Sequence, residues 1–148
     1  MIEKTILFDI DGTLANIAHR RIYLDEDEPN WKKFNSMMEE DIPNTPVVNL
    51  YLSLWNSNEY EIELVTGRSE EFREITQQWL VWNEIPFSKI HMRPKMDNRA
   101  DHKIKKEVLD KLLKQGKQIE FVVDDRQQVV DMWRANGITC LQCDVGDF

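Results

Sequence analysis

Apolar residues along this chain form short runs, which are separated by longer segments with helical spacing. The clearest runs are TILFD (residues 5–9), IELVT (62–66) and IEFVVDD (119–125). Their largely apolar character is typical of strands that are covered on both faces of a sheet. Two weaker runs, IHMR (90–93) and ITCLQC (138–143), are candidates for two further strands.

Four of the intervening segments place apolar residues three or four positions apart, which predicts helices. They are TPVVNLYLSLWNS (45–57), SEEFREITQQWLVW (69–82), KIKKEVLDKLLKQG (103–116) and RQQVVDMWRANG (126–137). Ser69 is the predicted cap of the second helix, and Gly116 and Gly137 close the last two. The residues expected on the buried faces are Val47, Leu50, Tyr51 and Leu54; Phe72, Ile75, Trp79 and Trp82; Ile104, Val108 and Leu112; and Val129, Val130 and Trp133.

Strands that alternate with helices predict an α/β fold, a three-layer Rossmann-like parallel sheet with helices on both faces. A length of 148 residues fits one domain spanning residues 1–148. The alternation is interrupted after the first strand by a small helical insert at about residues 20–45. Within it, the segment NWKKFNSMMEE (30–40) places Trp31, Phe34, Met37 and Met38 on one face. We expect this insert to act as a lid over the tip of the first strand.

The composition indicates a globular, acidic protein. Hydrophobic residues make up 41% of the chain, and the formal net charge is −8. An acidic chain is not expected to bind long nucleic acid through its phosphates, although one nucleotide or a strand end stays possible as a ligand. The acidic stretches YLDEDEP (23–29) and MMEED (37–41) are predicted to be solvated. The first residues lack the features of a signal peptide, and no apolar run suits a membrane span, so we expect a cytoplasmic protein.

The cysteines and histidines do not predict a metal site. Cys140 and Cys143 have C-x-x-C spacing, but a zinc site needs four ligands and no second pair accompanies them. We interpret both as reduced cysteines that pack in or near the core. The three histidines, His19, His91 and His102, are scattered along the chain.

Polar residues follow the three clearest strands at their carboxyl ends. They are Asp9 and Asp11, then Thr66, Gly67 and Arg68, and finally Asp124 and Asp125. Each group alone also fits a turn or the start of a helix. Ligands bind beyond the carboxyl ends of the strands in open α/β sheets, so the occurrence of all three groups there predicts one active site.

The residue types in this constellation suit the removal of a phosphate group. Clustered carboxylates repel one another unless a cation lies between them, and oxygen ligands favour Mg²⁺. One carboxylate can attack phosphorus to form an acyl phosphate. A second carboxylate can protonate the departing oxygen and then deprotonate water. Asp9 and Asp11 are the candidates for these two roles.

The motifs DIDGT (9–13), VTGR (65–68) and VVDD (122–125), with a lysine between the last two, resemble the haloacid dehalogenase (HAD) superfamily of phosphatases. This resemblance implies that Asp9 is the nucleophile and Asp11 the general acid/base. It also implies that Thr66 and a lysine hold the phosphoryl group. By the same resemblance, Mg²⁺ would be bound by Asp9, the backbone carbonyl of Asp11, and one or both of Asp124 and Asp125.

A narrower resemblance points to the 3'-phosphatase domain of bacteriophage polynucleotide kinase/phosphatases. It rests on DNRADHKIK (97–105), on DDRQQVVDMWR (124–134) and on the terminal GDF (146–148). Matching by position implies Lys105, rather than Lys103 or Lys106, as the phosphate lysine. It further implies functional roles for Arg20, Arg68 and Asp101. No kinase phosphate loop, G-x-x-x-x-G-K-[S/T], occurs in the sequence, so we expect a stand-alone phosphatase domain.

Other basic residues near these motifs have open roles. Arg126 is expected either to cap a helix or to form an ion pair beside Asp124 and Asp125. Arg99 could pair with Asp97 or Asp101 and orient the segment that carries Lys105, or contact substrate. Arg93 and Lys95 lie in the basic stretch HMRPKMDNRADHK (91–103), where the rest of a nucleotide could bind.

These observations favour a magnesium-dependent phosphatase that acts on a nucleic-acid 3'-phosphate end or on a nucleotide. A 5'-nucleotidase, or another small-molecule phosphatase of the same superfamily, is the first alternative. A non-catalytic relative that binds phosphate and a phosphotransferase that keeps the acyl phosphate are further alternatives. The net charge favours small substrates, whereas the 97–105 and 124–134 matches favour 3' ends.

Overall fold

The computed structural model describes residues 3–146 of the chain. Its strands are β1 (Lys4–Phe8), β2 (Ala15–Asn16), β3 (Ile42–Pro43), β4 (Glu61–Ser69), β5 (Lys89–Arg93), β6 (Gln118–Arg126) and β7 (Cys140–Gly146). Its α-helices are α1 (Ala18–Arg21), α2 (Trp31–Ser36), α3 (Thr45–Ser57), α4 (Arg73–Trp82), α5 (Asp101–Lys114) and α6 (Gln127–Ala135). Single turns of 3₁₀ helix occupy Met38–Glu40 and Glu70–Phe72.

Five strands form a parallel sheet in the order β5-β4-β1-β6-β7. The central position of β1 explains its continuous apolar sequence, because Ile6, Leu7 and Phe8 are buried on both faces of the sheet. The order reverses direction at β1, so the chain winds outward from the centre in both directions. The predicted α/β parallel sheet is therefore confirmed.

Two separate apolar cores hold helices against the two faces of the sheet. On one face, Tyr51 of α3 packs edge-on against Phe8 with 5.0 Å between ring centroids, and Trp79 of α4 lies in the same core. On the other face, Leu109 of α5 and Trp133 of α6 pack in a core of their own. Helices on both faces give the three layers that the alternation of strands and helices predicts.

The predicted buried faces of two helices are partly wrong. Leu50 is 41% exposed and Trp82 is 57% exposed, while Val48 and Leu80 take the buried positions instead. Ser69 caps the 3₁₀ turn Glu70–Phe72 rather than α4, because its hydroxyl accepts from the backbone N–H of Glu71. The regular α4 then begins at Arg73, so the apolar stripe that was projected from Ser69 is out of register.

The expected insert after β1 is a compact group of short elements. It contains α1, α2 and the turn Met38–Glu40, and the antiparallel pair β2–β3 brings its two ends together. Phe34 and Met38 are buried, as their spacing predicts, whereas Trp31 is 50% exposed. Across the described residues, no helix is long and apolar enough to span a membrane. Of the terminal GDF motif, Gly146 ends β7, while Asp147 and Phe148 lie outside the described residues.

Candidate active site

The carboxyl ends of β1, β4 and β6 meet the start of α5 around one cavity of about 580 Å³. Asp9, Asp11, Asp124, Asp125 and Lys105 all line this cavity, together with Gly67, Arg68 and Asp101. Thr66 and Arg20 are buried but do not line it. Six of the eight residues proposed for catalysis or phosphate binding therefore line the same cavity, and so do Asp124 and Asp125.

Asp9 lies directly after the central strand and is buried at the bottom of the site. Its Oδ1 accepts a hydrogen bond from Nζ of Lys105 (2.8 Å), and its Oδ2 accepts one from Oγ1 of Thr13 (2.9 Å). Burial and the nearby charge of Asp124 raise the pKa of Asp9 well above its usual value, and Lys105 offsets this only in part.

Lys105 is the only lysine among the three candidates that is buried. Its Nζ donates to Asp9 and also to Oδ2 of Asp124 (2.9 Å). Burial opposes its charge, but the surrounding carboxylates of Asp101, Asp124 and Asp9 outweigh burial and raise the pKa of Lys105. Lys103 is exposed and Lys106 pairs with Asp110, so neither shares this environment.

Three buried carboxylates, from Asp9, Asp124 and Asp125, approach closely enough to share a cation. Each offers one oxygen, and these oxygens lie within 4.8 Å of one another. Oδ1 of Asp125 is buried and accepts no hydrogen bond among the described residues. Burial and the charge of Asp124 raise the pKa of Asp125 to about 6. An all-oxygen donor set with an unsatisfied buried oxygen fits a hard divalent cation such as Mg²⁺.

Gly12 leaves the space that Asp125 needs. Its φ is +83°, and a Cβ built on it would fall 2.1 Å from Oδ2 of Asp125. A side chain at position 12 is therefore strained by its backbone angle and also displaces a carboxylate of the cluster. The Asp-Gly pair in the first motif is thus both a turn and a condition for the acidic cluster.

Two guanidinium groups, from Arg20 and Arg68, hold the carboxylate of Asp11. Oδ1 accepts from Nη2 of Arg20 (2.7 Å) and from Nη2 of Arg68 (2.6 Å), and Nε of Arg68 donates to both oxygens at 3.1 Å. Burial alone would raise the pKa of Asp11, but the charges of Arg68 and Arg20 outweigh it and hold this pKa well below its usual value. Asp9 and Asp11, two residues apart, therefore have opposite electrostatic environments.

Asp41, in the stretch MMEED, is buried and joins this arrangement. Its carboxylate accepts from Nε and Nη2 of Arg20 (both 2.8 Å) and from Nη2 of Arg68 (3.2 Å). His19 contacts Oδ1 of Asp41 at 2.6 Å. The prediction that MMEED is solvated is wrong for this residue. One signal was available, because Arg20 and Arg68 carry two positive charges and Asp11 supplies only one negative charge.

Asp101 occupies the first turn of α5 beside Gly67. A Cβ on Gly67 would lie 2.2 Å from Oδ1 of Asp101, so only glycine admits this carboxylate. The Oδ1 atom is buried and accepts no hydrogen bond from residues 3–146, and three cationic groups lie 3.7–3.8 Å from the carboxylate: Arg93, Lys105 and Arg126. The expected ion pairing of Arg126 is therefore observed with Asp101.

The sequence comparison decides the family of this chain. The family described as the polynucleotide kinase PNKP phosphatase domain, of HAD type, matches residues 3–148. The chain belongs to the PNKP phosphatase-domain family. It is also 26% identical over 132 residues to a protein of Autographa californica nuclear polyhedrosis virus that is provisionally named as a bifunctional polynucleotide kinase/RNA ligase. This match covers 88% of the chain and 18% of the viral protein.

Solved structures agree with this assignment. A chain in the Pnkp1/Rnl/Hen1 complex is 33% identical, with a TM-score of 0.82 over 99% of this chain and 48% of that chain. A chain in the Pnkp1/Rnl/Hen1 RNA repair complex is likewise 33% identical, with a TM-score of 0.81 over 99% of this chain and 44% of that one. The chain therefore spans less than half the length of these relatives. A haloacid dehalogenase-like hydrolase from Streptococcus pneumoniae, 16% identical with a TM-score of 0.65, shares the fold, covering 95% of this chain and 84% of that one.

In this PNKP-type phosphatase, other residues that the sequence analysis singled out lie around the site. Oγ1 of Thr66, buried just outside the cavity lining, accepts from the backbone N–H of Arg68 (3.1 Å). Nε1 of Trp133, expected only to pack, also donates to Oδ2 of Asp124 (3.3 Å). Cys140 and Cys143 are free thiols, and burial raises the pKa of each to about 12.

The segment between β5 and α5 forms one wall of the phosphatase cavity. Arg93 donates from Nε to the carbonyl of Gly67 (2.8 Å) and from Nη1 to the carbonyl of Asp97 (3.1 Å). Arg99 pairs with Asp97, one of its two expected partners, and also with Glu107. Lys95 is exposed and does not line the cavity. Arg93 and Arg99 thus fix the wall that precedes Lys105.

Proposed function

We propose that the chain is a magnesium-dependent phosphomonoesterase that removes a 3'-phosphate from a nucleic-acid end or a nucleotide. Membership of the PNKP phosphatase-domain family supports the phosphatase activity, and similarity to a chain of the Pnkp1/Rnl/Hen1 RNA repair complex supports a nucleic-acid substrate. The observation that carries the proposal is the contact of Asp9 with Lys105, beside the carboxylates of Asp124 and Asp125. A nucleophile next to a phosphate-binding cation is what phosphoryl transfer requires.

In the proposed first step, a carboxylate oxygen of Asp9 attacks phosphorus. A bond forms between this oxygen and phosphorus, and the bond to the ester oxygen of the substrate breaks. Lys105 neutralises charge on the phosphoryl group, and the hydroxyl of Thr66 and the backbone at Gly67 and Arg68 orient it. The products of this step are an aspartyl phosphate and the 3'-hydroxyl of the substrate.

Asp11 is the proposed proton donor and acceptor. Its contacts with Arg20 and Arg68 favour the carboxylate, which is the form that accepts a proton from water in the hydrolysis of the aspartyl phosphate. Before the first step Asp11 must take up a proton from solvent, which requires weaker contacts with these two cations, and it then donates this proton to the departing oxygen. We propose that the substrate phosphate provides this opportunity, because it is an alternative anionic partner for Arg68.

The residues proposed to hold Mg²⁺ are Asp9, the backbone carbonyl of Asp11, Asp124 and Asp125. Both oxygens of Asp124 already accept hydrogen bonds, whereas Oδ1 of Asp125 accepts none among the described residues, so the donor set has one free buried oxygen. When bound, the ion supplies positive charge that lowers the repulsion between the substrate and these carboxylates.

Asp101 is proposed to maintain the position of Lys105, whose Nζ lies 3.7 Å from its carboxylate.

The insert at about residues 20–45 is proposed to cover the substrate as part of a single domain. The acidic net charge supports contact with one terminal nucleotide rather than with long nucleic acid. A cytoplasmic location stays a prediction. A 5'-nucleotidase is the competing function, because the same catalytic groups would hydrolyse a 5'-phosphate.

A panel of phosphate esters tests the proposal. We expect phosphate release with Mg²⁺ from a 3'-phosphorylated oligonucleotide and from a nucleoside 3'-phosphate, and much less from a nucleoside 5'-phosphate. The Asp9→Asn variant should release none, while Asp27→Asn, at an exposed acid of the insert, should match the wild type. A preference for the 5'-phosphate would favour the nucleotidase instead. Full activity of Asp9→Asn would disprove the nucleophile assignment.

A further inference from the structure

The lining of the catalytic cavity includes apolar side chains that none of the proposed chemical steps uses. They come from three separate segments: Trp31 from α2, Phe72 from the turn after β4, and Met96 from the segment before α5. The other residues of the lining are mainly charged, and they include Asp9, Lys105 and the Asp124–Asp125 pair. A ligand that fills the whole cavity therefore meets both charged and apolar side chains.

Trp31 is the largest apolar side chain in this lining. It is 50% exposed, although a tryptophan loses favourable free energy when it stays in water. Phe34, which is buried, packs edge-on against it with 5.6 Å between ring centroids and an angle of 87°. The indole ring is thus supported by a buried ring, lines the cavity and keeps half of its surface exposed. Met96, 95% exposed with a φ of +64°, adds a flexible apolar group to the same lining.

We propose that Trp31 stacks against the base of the nucleotide whose phosphate is removed. This inference rests on the proposed function and names the recognition element of its substrate. A nucleobase has a flat aromatic face, and stacking on tryptophan tolerates any base sequence. The cavity of about 580 Å³ is within the range that holds a ligand of nucleotide size. An acyclic polyol phosphate such as glycerol 2-phosphate has no flat face that would cover the indole.

The charge of the chain makes such an anchor necessary. With a formal net charge of −8, affinity for nucleic acid cannot come mainly from contacts with many phosphates. One terminal phosphate at Lys105 and one base at Trp31 give two contacts within a single nucleotide. The phosphatase would then accept a strand end or a free nucleotide, and it would bind with little dependence on the rest of the strand.

The test compares two esters with and without a base. We expect Trp31→Ala to raise the KM for adenosine 3'-phosphate by about tenfold, the usual scale of a lost base–aromatic stack, and to leave the KM for glycerol 2-phosphate within about twofold. Trp31→Phe should keep most of the affinity for the nucleotide. Trp82→Ala is the matched control, because Trp82 is also exposed (57%) but does not line the cavity. Equal effects of Trp31→Ala on both esters, or no effect on either, would overturn the inference.

A binding measurement separates this inference from the proposed function. Calorimetry with adenosine 3'-phosphate on Asp9→Asn, with and without Trp31→Ala, reports the stack without turnover. Weaker binding to the double variant supports the stack, and equal binding contradicts it. If the wild type hydrolyses glycerol 2-phosphate but no nucleoside 3'-phosphate, the proposed 3'-phosphatase activity fails, and the calorimetric comparison alone decides the role of Trp31.

Discussion

At the scale of single residues, the site depends on glycines that leave room for neighbouring carboxylates. Gly12 has a φ of +83°, and Gly116 has a nearly equal φ of +79°. They differ in their surroundings, because a Cβ at position 12 would overlap the Asp125 carboxylate, whereas one at position 116 would meet no described atom within 4 Å. Alanine substitutions at these two glycines therefore distinguish the effect of backbone strain from the effect of displacing the Asp125 carboxylate.

We expect Gly12→Ala to destabilise the protein more than Gly116→Ala and to weaken Mg²⁺ binding. The positive φ costs each alanine variant about 1–3 kcal/mol of unfolding free energy, and the overlap with Asp125 adds to this cost in Gly12→Ala alone. Thermal melts of both variants with and without Mg²⁺ measure the difference. If Gly12→Ala keeps the full stabilisation by Mg²⁺, then the close approach of Gly12 and Asp125 does not govern the cluster.

The strand-end aspartates could be predicted residue by residue from the sequence. Asp9 and Asp125 follow apolar strands, and strand ends of a parallel sheet share one edge, so their proximity needs no further information. Asp41 could not be found in this way, because it comes from a short acidic stretch whose composition suggests solvent exposure. Its burial depends on Arg20 and Arg68, whose side chains meet only after the insert has folded.

At the scale of elements, Asp41 couples the insert to the sheet. Its carboxylate contacts Arg20 of α1 and Arg68 of β4, and its backbone carbonyl accepts from Nε1 of Trp79 in α4 (2.9 Å). Short helices such as α1 and α2 have little stability of their own. The insert therefore holds its position through this buried ionic network and the burial of Phe34 and Met38, rather than through helix propensity, and the same network holds Asp11.

We expect Asp41→Asn to reduce kcat by at least about tenfold and to lower the unfolding free energy by about 3 kcal/mol, since it leaves two buried guanidinium groups with one anion. Glu40→Gln, at the exposed neighbouring position, should change neither quantity. Kinetics and urea unfolding measure both effects. Stabilisation by Mg²⁺ should persist in Asp41→Asn, because Asp9, Asp124 and Asp125 are untouched. An unchanged kcat would show that the network is structural only.

The order of the strands and helices could be predicted from the sequence more reliably than which residues of each helix face the core. β1, β4 and β6 were located within a few residues, because buried parallel strands are apolar throughout. Helix faces were less certain where an irregular turn precedes the helix. The 3₁₀ turn Glu70–Phe72 advances the chain by a different angle per residue than α4 does, so the stripe extended from Phe72 placed Trp82 inward when it is exposed.

At the scale of the whole molecule, the acidic cluster links metal binding to pH. Burial and the charge of Asp124 raise the pKa of Asp125 to about 6, and burial raises that of Asp9 as well. A carboxyl group with a raised pKa binds its proton more tightly in the folded protein than in the unfolded chain. Its contribution to metal-free stability is therefore present at low pH and is lost as the pH rises through about 6.

Mg²⁺ must displace this proton, so we expect its affinity to fall as the pH decreases from 7.5 to 5.5. For Asp125 alone the loss corresponds to about 1 kcal/mol, and the proton on Asp9 increases it. Calorimetric titration of Mg²⁺ at the two pH values measures the change. Asp125→Asn should bind the ion more weakly and with a smaller pH dependence. Asp131→Asn, an exposed acid of α6, should behave as the wild type does. An affinity for Mg²⁺ that is independent of pH would mean that the ion binds elsewhere than at Asp9, Asp124 and Asp125.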